Sequence, residues 1–365
     1  EQYRRHALVQ MVEGTGVYGL SALLVLFNMA VAGVLVERGR RLRALVPALV
    51  VLTALVVGLP LAGRWRVAAL AARPVAGRLR VALAQGNVEQ DHKWDPVYQD
   101  ETVARYRELT AAAAGERPAL VVWPETATPF FFQEPGALRD EVLAIATGNH
   151  VHLLFGSPAA RAGLDGTIEV LNRAYLVSPA GREAGVYDKM QLVPFGEYVP
   201  YRSVLFFVDK IVTAVGTIVA GSTPTVFEVP GGRFGVVICY EDVFPTVTRR
   251  FLQGGADFLV NITNDAWYGR TAAARQHLAQ ATFRAVENRV PLVRAANTGI
   301  SAVIDADGRV RWQSDLFETT WHAEEITWTG VRTFYARHGD VFAWACALAS
   351  LGAFGYGARR AWRTI

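Results

Sequence analysis

Three short segments of the chain place residues capable of nucleophilic, acid–base and electrostatic chemistry next to predicted strands. Glu125 follows the apolar residues VVWP, Lys189 lies in YDKMQLVPFGEYVP, and Cys239 ends GVVIC and is followed by YED. A cysteine becomes a strong nucleophile when a carboxylate takes its proton, and a lysine can stabilise the oxyanion that forms on attack. These residue types together make Cys239 a candidate nucleophile, with Glu125 and Lys189 as its candidate partners.

Each of these residues has a structural alternative when it is taken alone. A carboxylate directly after a strand is commonly a helix cap, and a single lysine is commonly a solvated charge. A single free cysteine is most often a buried structural residue. The second cysteine, Cys346, lies in an apolar C-terminal segment, where we expect it to be buried and unavailable for a disulfide. The three residues in combination favour catalysis.

The composition predicts a chain divided between a membrane and a large folded domain. It has 365 residues, of which 52% are hydrophobic, and a positive mean hydropathy of +0.19. These values are high for a soluble enzyme and low for a protein made only of membrane spans. The net charge is +4, and the sequence has no basic stripe with interleaved aromatic residues, so we exclude nucleic acid as a partner.

The cysteines and histidines do not form a metal-binding motif. Two cysteines are too few for a thiolate zinc site, and the seven histidines are scattered. His150 and His152 are two residues apart, as on one face of a strand, but no third ligand lies near them in the sequence. We therefore expect neither a metal ion nor a cofactor.

Three segments without charged residues are long and apolar enough to be transmembrane helices, namely 16–36, 44–62 and 341–358. A buried core helix is the alternative for each, and it fits the last segment, rich in Gly and Ala, best. Arginines follow the first and third segments: Arg38, Arg40, Arg41, Arg43, Arg359, Arg360 and Arg363. By the positive-inside rule these arginines lie in the cytoplasm, so the stretch between the second and third spans lies on the opposite side.

This pattern divides the chain into three parts. Residues 1–77 form a membrane region with two spans, 78–329 a catalytic domain, and 330–365 the last span with a basic cytoplasmic tail. Within the domain, strand-like segments alternate with helical patterns, and GRV at 308–310 predicts a hairpin turn, so we expect a layered α/β fold. We predict strands at 79–85, 119–123, 151–156, 233–239, 257–263, 290–296 and 301–306, and helices at 97–114, 136–148, 243–253 and 271–287.

The order Glu, Lys, Cys in these contexts resembles the nitrilase, or carbon–nitrogen hydrolase, superfamily. The segments FGEYVP, CYE, NDAWYG and TFYARHGD are similar to those of the apolipoprotein N-acyltransferase family within it, and TGVYGLSALLVLFN is similar to a membrane helix of that family. The resemblance covers the chain from about residue 10 to its end. It implies a nitrilase-like α-β-β-α sandwich flanked by transmembrane α-helices.

The resemblance also implies a ping-pong acyl transfer. A membrane phospholipid gives its acyl chain to Cys239, and the N-terminal amine of a diacylglyceryl-cysteine apolipoprotein then takes it from the thioester. Glu125 is expected to act as general base, while Lys189 stabilises the oxyanion and holds the Cys239 thiolate. A backbone N–H near the cysteine is expected to share the oxyanion. These assignments make the chain an N-acyltransferase with a Glu-Lys-Cys triad.

Further residues are expected to support this chemistry. Glu197 matches a family carboxylate and orients Lys189 or the base, the alternative being a residue of a surface turn. Tyr240 and Glu241 follow the nucleophile and are expected to shape the pocket. A thioester must also be protected from water. Segment 199–221 is unusually apolar for a surface connection, and it is either a mobile lid or an ordinary buried helix. The residues expected to contact lipid are Phe206, Phe207, Trp267 and Tyr268.

The family further implies a monomeric, multi-pass protein of the bacterial cytoplasmic (inner) membrane, with its catalytic domain on the periplasmic side. Members usually carry several more N-terminal spans, and residue 1 is Glu, so we expect this sequence to begin inside a longer chain. Two other functions remain open. One is a membrane-tethered amidase that hydrolyses small C–N substrates with the same triad, and the other is a non-catalytic membrane scaffold with a nitrilase fold.

Overall fold

The computed structural model describes residues 2–36, 42–163, 166–198 and 218–362. Its strands are β1 (Gly77–Gln85), β2 (Leu120–Val122), β3 (His152–Ala162), β4 (Ile168–Val177), β5 (Glu183–Asp188), β6 (Val226–Val229), β7 (Gly232–Ile238), β8 (Phe258–Thr263), β9 (Leu292–Ala296), β10 (Ala302–Ile304), β11 (Val310–Gln313) and β12 (Thr320–Trp328). Its α-helices are α1 (His6–Val9), α2 (Val12–Thr15), α3 (Val17–Val36), α4 (Leu42–Ala71), α5 (Gln90–Lys93), α6 (Gln99–Ala114), α7 (Ala137–Gly148), α8 (Pro245–Gln253), α9 (Ala273–Asn288), α10 (Phe334–His338) and α11 (Val341–Trp362). Short 3-10 helices lie at Gln2–Arg4, Pro96–Tyr98, Cys239–Val243 and Asp265–Tyr268.

Within the described residues the strands form two six-stranded sheets of similar design. Their orders are β12-β1-β2-β3-β4-β5 and β11-β10-β9-β8-β7-β6. Three parallel strands occupy the middle of each sheet, β1-β2-β3 in one and β7-β8-β9 in the other, and antiparallel strands flank them. Side chains that follow the carboxyl ends of central parallel strands meet at one edge of such a sheet, where α/β proteins bind their ligands.

The alternation of side chains along the strands explains the layers. On β1, Val81 and Leu83 point to the inner face and pack against the second sheet, whereas Ala82 and Ala84 point outward toward α6. Helices α6 and α7 cover the outer face of the first sheet, and α8 and α9 cover the second. The predicted α-β-β-α sandwich is therefore confirmed.

All seven predicted strands and all four predicted helices of the domain are present, with ends shifted by several residues. The turn at 308–310 is also present, with Gly308 at φ +86° between β10 and β11. Strands β4, β5, β6 and β12 were not predicted. In β4 the polar residues Asn172 and Arg173 interrupt the apolar pattern, and much of β12 is only partly buried at the edge of its sheet.

Two helices of the described chain are long and apolar enough to cross a membrane, over Leu49–Ala71 in α4 and Val341–Arg360 in α11. The helix predicted at 16–36 is present as α3, but α1, α2 and α3 together form a third candidate that bends by 115°. Because the side chains of α11 are exposed, the buried-helix alternative for this segment is wrong. Cys346 is likewise exposed on α11, so our expectation of a buried residue is wrong.

The bend at Gly16 lies where the N-terminal helices meet the two-sheet domain. Gly16 at the break has φ +62°, a conformation that glycine adopts without strain. Val17 N–H then donates to the Glu287 carboxylate on α9 over 3.0 Å. Glu13 accepts from Arg66 on α4 and from Arg289 beyond α9, at 2.7 and 2.8 Å. Helix α4 continues past residue 62, the predicted end of the second span, and the charge of Arg66 is paired in this extension.

Candidate active site

The three residues proposed for catalysis follow strands of both sheets. Glu125 follows β2, Lys189 follows β5, and Cys239 follows β7 as the first residue of a 3-10 helix. The backbone is unusual at two of these points, since Cys239 has φ +52° and Thr126, directly after Glu125, has φ +47°. Gly156 on β3 permits the close approach, because a Cβ there would lie 2.5 Å from Thr126 N.

Lys189 lies between two carboxylates. It is 1% exposed, and its Nζ is 2.7 Å from Glu197 Oε1 and 3.7 Å from Glu125 Oε1. Glu197 is held in turn by Val193 N–H, which donates to Oε2 over 2.8 Å. Glu197 therefore lies in a turn and contacts Lys189 directly, and its role in orienting Lys189 stays a prediction.

The Glu125 carboxylate has a fixed orientation. Its Oε1 accepts a 2.7 Å hydrogen bond from Asn172 Nδ2, and its Oε2 accepts a 2.9 Å bond from Asn264 N–H. Asn172 also donates to Glu197 over 3.3 Å, so one amide group links the two carboxylates. Neither Asn172 nor Asn264 was singled out in the sequence. Asn264 could have been found as the first residue of the NDAWYG segment. Asn172 could have been found only as a polar residue within the segment that forms β4.

Burial raises the pKa of the Cys239 thiol, and the Glu125 carboxylate raises it further, while Lys189 acts in the opposite direction. The net pKa lies above the ordinary value, so the thiol is neutral at neutral pH. Our expectation that Lys189 holds a resting thiolate is therefore wrong, because burial and a carboxylate outweigh one ammonium. A base must remove the proton as the sulfur attacks.

Lys189 remains charged despite its burial. Burial lowers the pKa of its ammonium, but the combined effects of Glu125, Cys239 and Glu197 exceed this and raise the pKa above the ordinary lysine value. A cation that cannot lose its proton in the working pH range suits electrostatic stabilisation and not proton transfer.

A second buried lysine lies beside the site, and the sequence reasoning missed it. Lys93, at the end of α5, is 3% exposed, and its Nζ donates to the backbone carbonyl of Glu125 over 3.1 Å. Burial lowers the pKa of this ammonium to about 8, although Glu125 and Cys239 raise it. Lys93 thus braces the backbone of Glu125 and adds positive charge to a site that contains two carboxylates.

Glu241 has a different place from the one expected. Its side chain is fully buried and accepts hydrogen bonds from Ile238 N–H at 2.8 Å, Met190 N–H at 2.7 Å and Gln191 N–H at 2.9 Å. The hydroxyl of Tyr187 donates to the same carboxylate over 2.8 Å. Burial raises the pKa of Glu241 to about 6, against these donors. The residue therefore joins the loop that carries Lys189 to the strand that precedes Cys239, and it does not line the pocket.

Replacing Glu241 by alanine is expected to lower both the thermal stability and the rate of any reaction at Cys239. Two buried and two partly buried donors would lose their acceptor, at about 1–3 kcal/mol for each unsatisfied buried group, and the Lys189 loop would lose its connection to β7. Thermal unfolding and thiol acylation measured on the same preparation test this. Glu228→Ala, an exposed carboxylate on β6, is the matched control, and equal behaviour of the two variants would contradict the assignment.

Aromatic side chains surround the cysteine. Tyr240 is partly buried, with its ring centroid 5.8 Å from Phe244 and 6.2 Å from His277. The ring centroid of Tyr268 lies 6.4 Å from that of His277, and burial, together with Cys239, raises the pKa of Tyr268 to about 12. Trp267 is 69% exposed, as a lipid-contacting residue would be. The remaining two predicted lipid contacts, Phe206 and Phe207, lie outside the described residues, as does most of segment 199–221.

Within residues 2–36, 42–163, 166–198 and 218–362, His, Cys, Asp and Glu side chains form no cluster of three or more that could hold a metal ion. The side chains of the described site supply a thiol whose pKa is raised, a carboxylate in a fixed orientation, and an ammonium bound to a second carboxylate.

Comparison with known proteins agrees with this architecture. The carbon-nitrogen hydrolase family model matches residues 80–333. An amidase from Nesterenkonia sp. superposes with a TM-score of 0.52 at 19% identity, covering 73% of this chain and 95% of that one. Nit3 of Saccharomyces cerevisiae, a member of branch 10 of the nitrilase superfamily, gives a TM-score of 0.54 at 19% identity, covering 69% and 91%. These similarities define the fold as that of the nitrilase superfamily.

Proteins of similar sequence identify a narrower family within this superfamily. The chain is 42% identical over 347 residues to the apolipoprotein N-acyltransferase of Geobacter metallireducens, covering 94% of this chain and 66% of that protein. It is 31% identical over 367 residues to the enzyme of the same name from Chlorobaculum tepidum, covering 93% and 68%. The chain therefore belongs to the carbon-nitrogen hydrolase family and, within it, to the family of the apolipoprotein N-acyltransferases. It spans about two thirds of the length of these two relatives.

Proposed function

We propose that the chain carries the catalytic site of an apolipoprotein N-acyltransferase. It transfers an acyl chain from a membrane phospholipid, through a thioester on Cys239, to the N-terminal amine of a diacylglyceryl-cysteine lipoprotein. The observation that carries the proposal is the convergence of three side chains from both sheets. Glu125 and Lys189 both lie close enough to Cys239 to change its pKa, and the ammonium is 3.7 Å from the Glu125 carboxylate.

The first half-reaction forms the thioester. Glu125 takes the proton of the neutral Cys239 thiol while the sulfur attacks the ester carbonyl of the phospholipid. The resulting oxyanion lies beside the Lys189 ammonium, which is already fixed by Glu197 and needs no rearrangement to stabilise it. Collapse of the tetrahedral intermediate breaks the ester C–O bond. The departing alkoxide takes the proton back from Glu125, and a lysophospholipid leaves.

The second half-reaction repeats these steps with an amine as the nucleophile. Glu125 takes a proton from the attacking amine, a new C–N bond forms, and Lys189 again stabilises the oxyanion. The C–S bond then breaks and the sulfur recovers a proton through Glu125. Because water could replace the amine, the site must exclude it. The aromatic groups of Tyr240, Trp267 and Tyr268, together with segment 199–221, are proposed to do so and to contact the acyl chain.

The proposed location follows from the apolar helices. Helices α4 and α11, and the bent segment that includes α3, would anchor the protein as a multi-pass monomer in the bacterial inner membrane. Arginine-rich segments follow α3 and end the chain, and by the positive-inside rule they support a cytoplasmic position for both segments. The catalytic domain then lies on the periplasmic side, next to the outer leaflet that would supply the phospholipid.

An amidase with the same residues is the second candidate, and the Nesterenkonia amidase shares the fold. In that case water would release the acyl group and the substrate would be a small amide. The apolar helices next to the domain favour the lipid substrate, because a soluble amide requires no membrane anchor.

Intact-mass measurement of the full chain after incubation with phosphatidylethanolamine and phosphatidylglycerol vesicles tests the proposal. We expect a mass increase of one acyl chain on the wild type and on Cys346→Ala, a matched control that removes the exposed cysteine of α11. Cys239→Ala should show no adduct. Absence of an adduct on the wild type with either phospholipid, or its persistence in Cys239→Ala, would contradict the proposal.

Cellular complementation separates the catalytic proposal from a non-catalytic scaffold. We expect the wild-type gene, supplied with any upstream segment it has, to restore lipoprotein N-acylation in cells depleted of their own enzyme. Cys239→Ser should fail, because a serine hydroxyl of much higher pKa would face a site built for a thiol. Full restoration by Cys239→Ser would support the scaffold instead.

A further inference from the structure

Four buried charged side chains form a closed ring beneath the nucleophile. Asp242, Asp265, His277 and Arg294 come from four different elements of the second sheet and its helices, and each is at most 5% exposed. His277 lies 2.9 Å from a carboxylate oxygen of each aspartate, through Nε2 to Asp242 and through Nδ1 to Asp265. Arg294 bonds the second oxygen of each, at 3.0 and 2.9 Å. The two cations and the two anions therefore alternate.

The ring contacts the backbone of the nucleophile at the carbonyl oxygen of Cys239. His277 Nε2 lies 3.3 Å from this oxygen, and Asn261 Nδ2 donates to it over 3.2 Å. Asn261 belongs to the same network, because its Oδ1 accepts from Arg294 Nη1. Two side chains of the network thus hold the carbonyl of a residue whose φ of +52° is strained for anything but glycine.

Protonated His277 fits its contacts with the two carboxylates. With both ring nitrogens as donors it satisfies Asp242 and Asp265 and also reaches the Cys239 carbonyl. Burial and the neighbouring Arg294, whose Nη2 is 2.8 Å from Nδ1, lower the pKa of the imidazole, but the two carboxylates exceed these effects and raise it to about 9. At neutral pH the ring is therefore electrically balanced, with two charges of each sign.

The position of the Cys239 carbonyl determines the direction of the Tyr240 N–H. The peptide bond between Cys239 and Tyr240 is trans, so the Tyr240 N–H points away from the Cys239 oxygen. Because His277 and Asn261 hold that oxygen on the buried side, the N–H is directed away from the ring and toward the side of the peptide that faces the pocket. An oxyanion on a carbon bonded to the Cys239 sulfur would form on this side.

We propose that His277 is a positioning residue for acyl transfer, which holds the Cys239–Tyr240 peptide so that its N–H faces the oxyanion opposite Lys189. The inference rests on the proposed thioester chemistry at Cys239 and concerns how the peptide beside the nucleophile is held in place. His277 touches neither substrate nor sulfur in this role. It acts through the carbonyl, and Asn261 supplies the second contact.

Two reactions of the same thiol distinguish this role from a general contribution to folding. Acylation of Cys239 by a p-nitrophenyl ester passes through an oxyanion, whereas alkylation by iodoacetamide displaces iodide at a saturated carbon and forms none. In the full chain with His277→Leu, the acylation rate of Cys239 should fall by a factor of about 10–100. This loss is smaller than the loss expected when an oxyanion donor itself is removed. Alkylation at the same pH should change by less than about threefold, in keeping with a role in which His277 does not contact the sulfur.

Rescue and control variants complete the experiment. His277→Gln, whose amide can still donate at the carbonyl, should recover part of the acylation rate, and His322→Leu, on β12 outside the site, should behave as the wild type. Because His277→Leu leaves two buried carboxylates with one cation, Asn261→Ala provides a second test in which all four charges remain. It should show the same selective loss of acylation.

A parallel fall of acylation and alkylation in both His277→Leu and Asn261→Ala, or unchanged acylation in either folded variant, would overturn the inference. An acylation rate in His277→Gln no higher than in His277→Leu would also overturn it. These outcomes are separate from failure of the proposed function. That failure would appear as a wild-type protein that accepts no acyl chain from phospholipid vesicles, whatever its reaction with the p-nitrophenyl ester.

Discussion

Replacing Glu125 by glutamine should lower the rate of thioester formation on Cys239 by a factor of about 10²–10⁴, the usual contribution of a positioned general base. The amide has nearly the shape of the carboxylate, and it can still accept the hydrogen bond from Asn264 N–H. It cannot take a proton from the thiol. The measurement is the initial rate of acyl adduct formation from phospholipid vesicles, followed by intact mass.

The pH dependence of the remaining rate gives this prediction a second readout. Burial raises the pKa of Cys239, so the thiolate fraction at neutral pH is small and increases about tenfold for each pH unit below that pKa. Without the base, the rate of Glu125→Gln should therefore rise with pH. Glu183→Gln, an exposed carboxylate on β5, is the control and should match the wild type. A wild-type rate in Glu125→Gln would exclude Glu125 as the base.

The sequence was sufficient for most of the fold because the signals of its central strands are local. Strands such as β7 and β8 are buried on both faces and appear as continuous apolar segments, flanked by helices of regular period. Strands at the sheet edges carry weaker signals. Every residue of β12 pairs with β1, but most of its side chains are only partly buried, and its place depends on pairing with a strand more than 200 residues away.

Only the site residues that lie within recognisable sequence motifs could be predicted. Glu125 and Cys239 follow apolar strands that the sequence predicts, and Lys189 lies in a recognisable motif although β5 before it was not predicted. Lys93, Asn172 and His277 have no such signal, because their roles depend on contacts with residues 32, 47 and 38 positions away. Glu241 follows the nucleophile directly and was expected beside the substrate, but a 3-10 helix turns its side chain toward the Lys189 loop.

Replacing Lys189 by methionine should lower thioester formation by a factor of about 10²–10³, the usual loss when one oxyanion contact is removed. The same change leaves Glu197 and Glu125 buried without their cation, and breaking a buried ion pair is itself destabilising by about 3–5 kcal/mol. A fall in activity alone would therefore not distinguish catalysis from stability. Thermal unfolding must be measured on the same preparation.

The double variant Lys189→Met with Glu197→Gln separates the two contributions. Removing the charge of Glu197 relieves the unpaired carboxylate, so the double variant should unfold at a higher temperature than Lys189→Met alone. Its rate should stay as low as that of Lys189→Met, because no cation remains beside the oxyanion. Arg182→Met, an exposed cation before β5, should match the wild type in both measurements. Recovery of rate and stability together would mean that Lys189 serves only to neutralise Glu197, and the mechanism would lose its oxyanion cation.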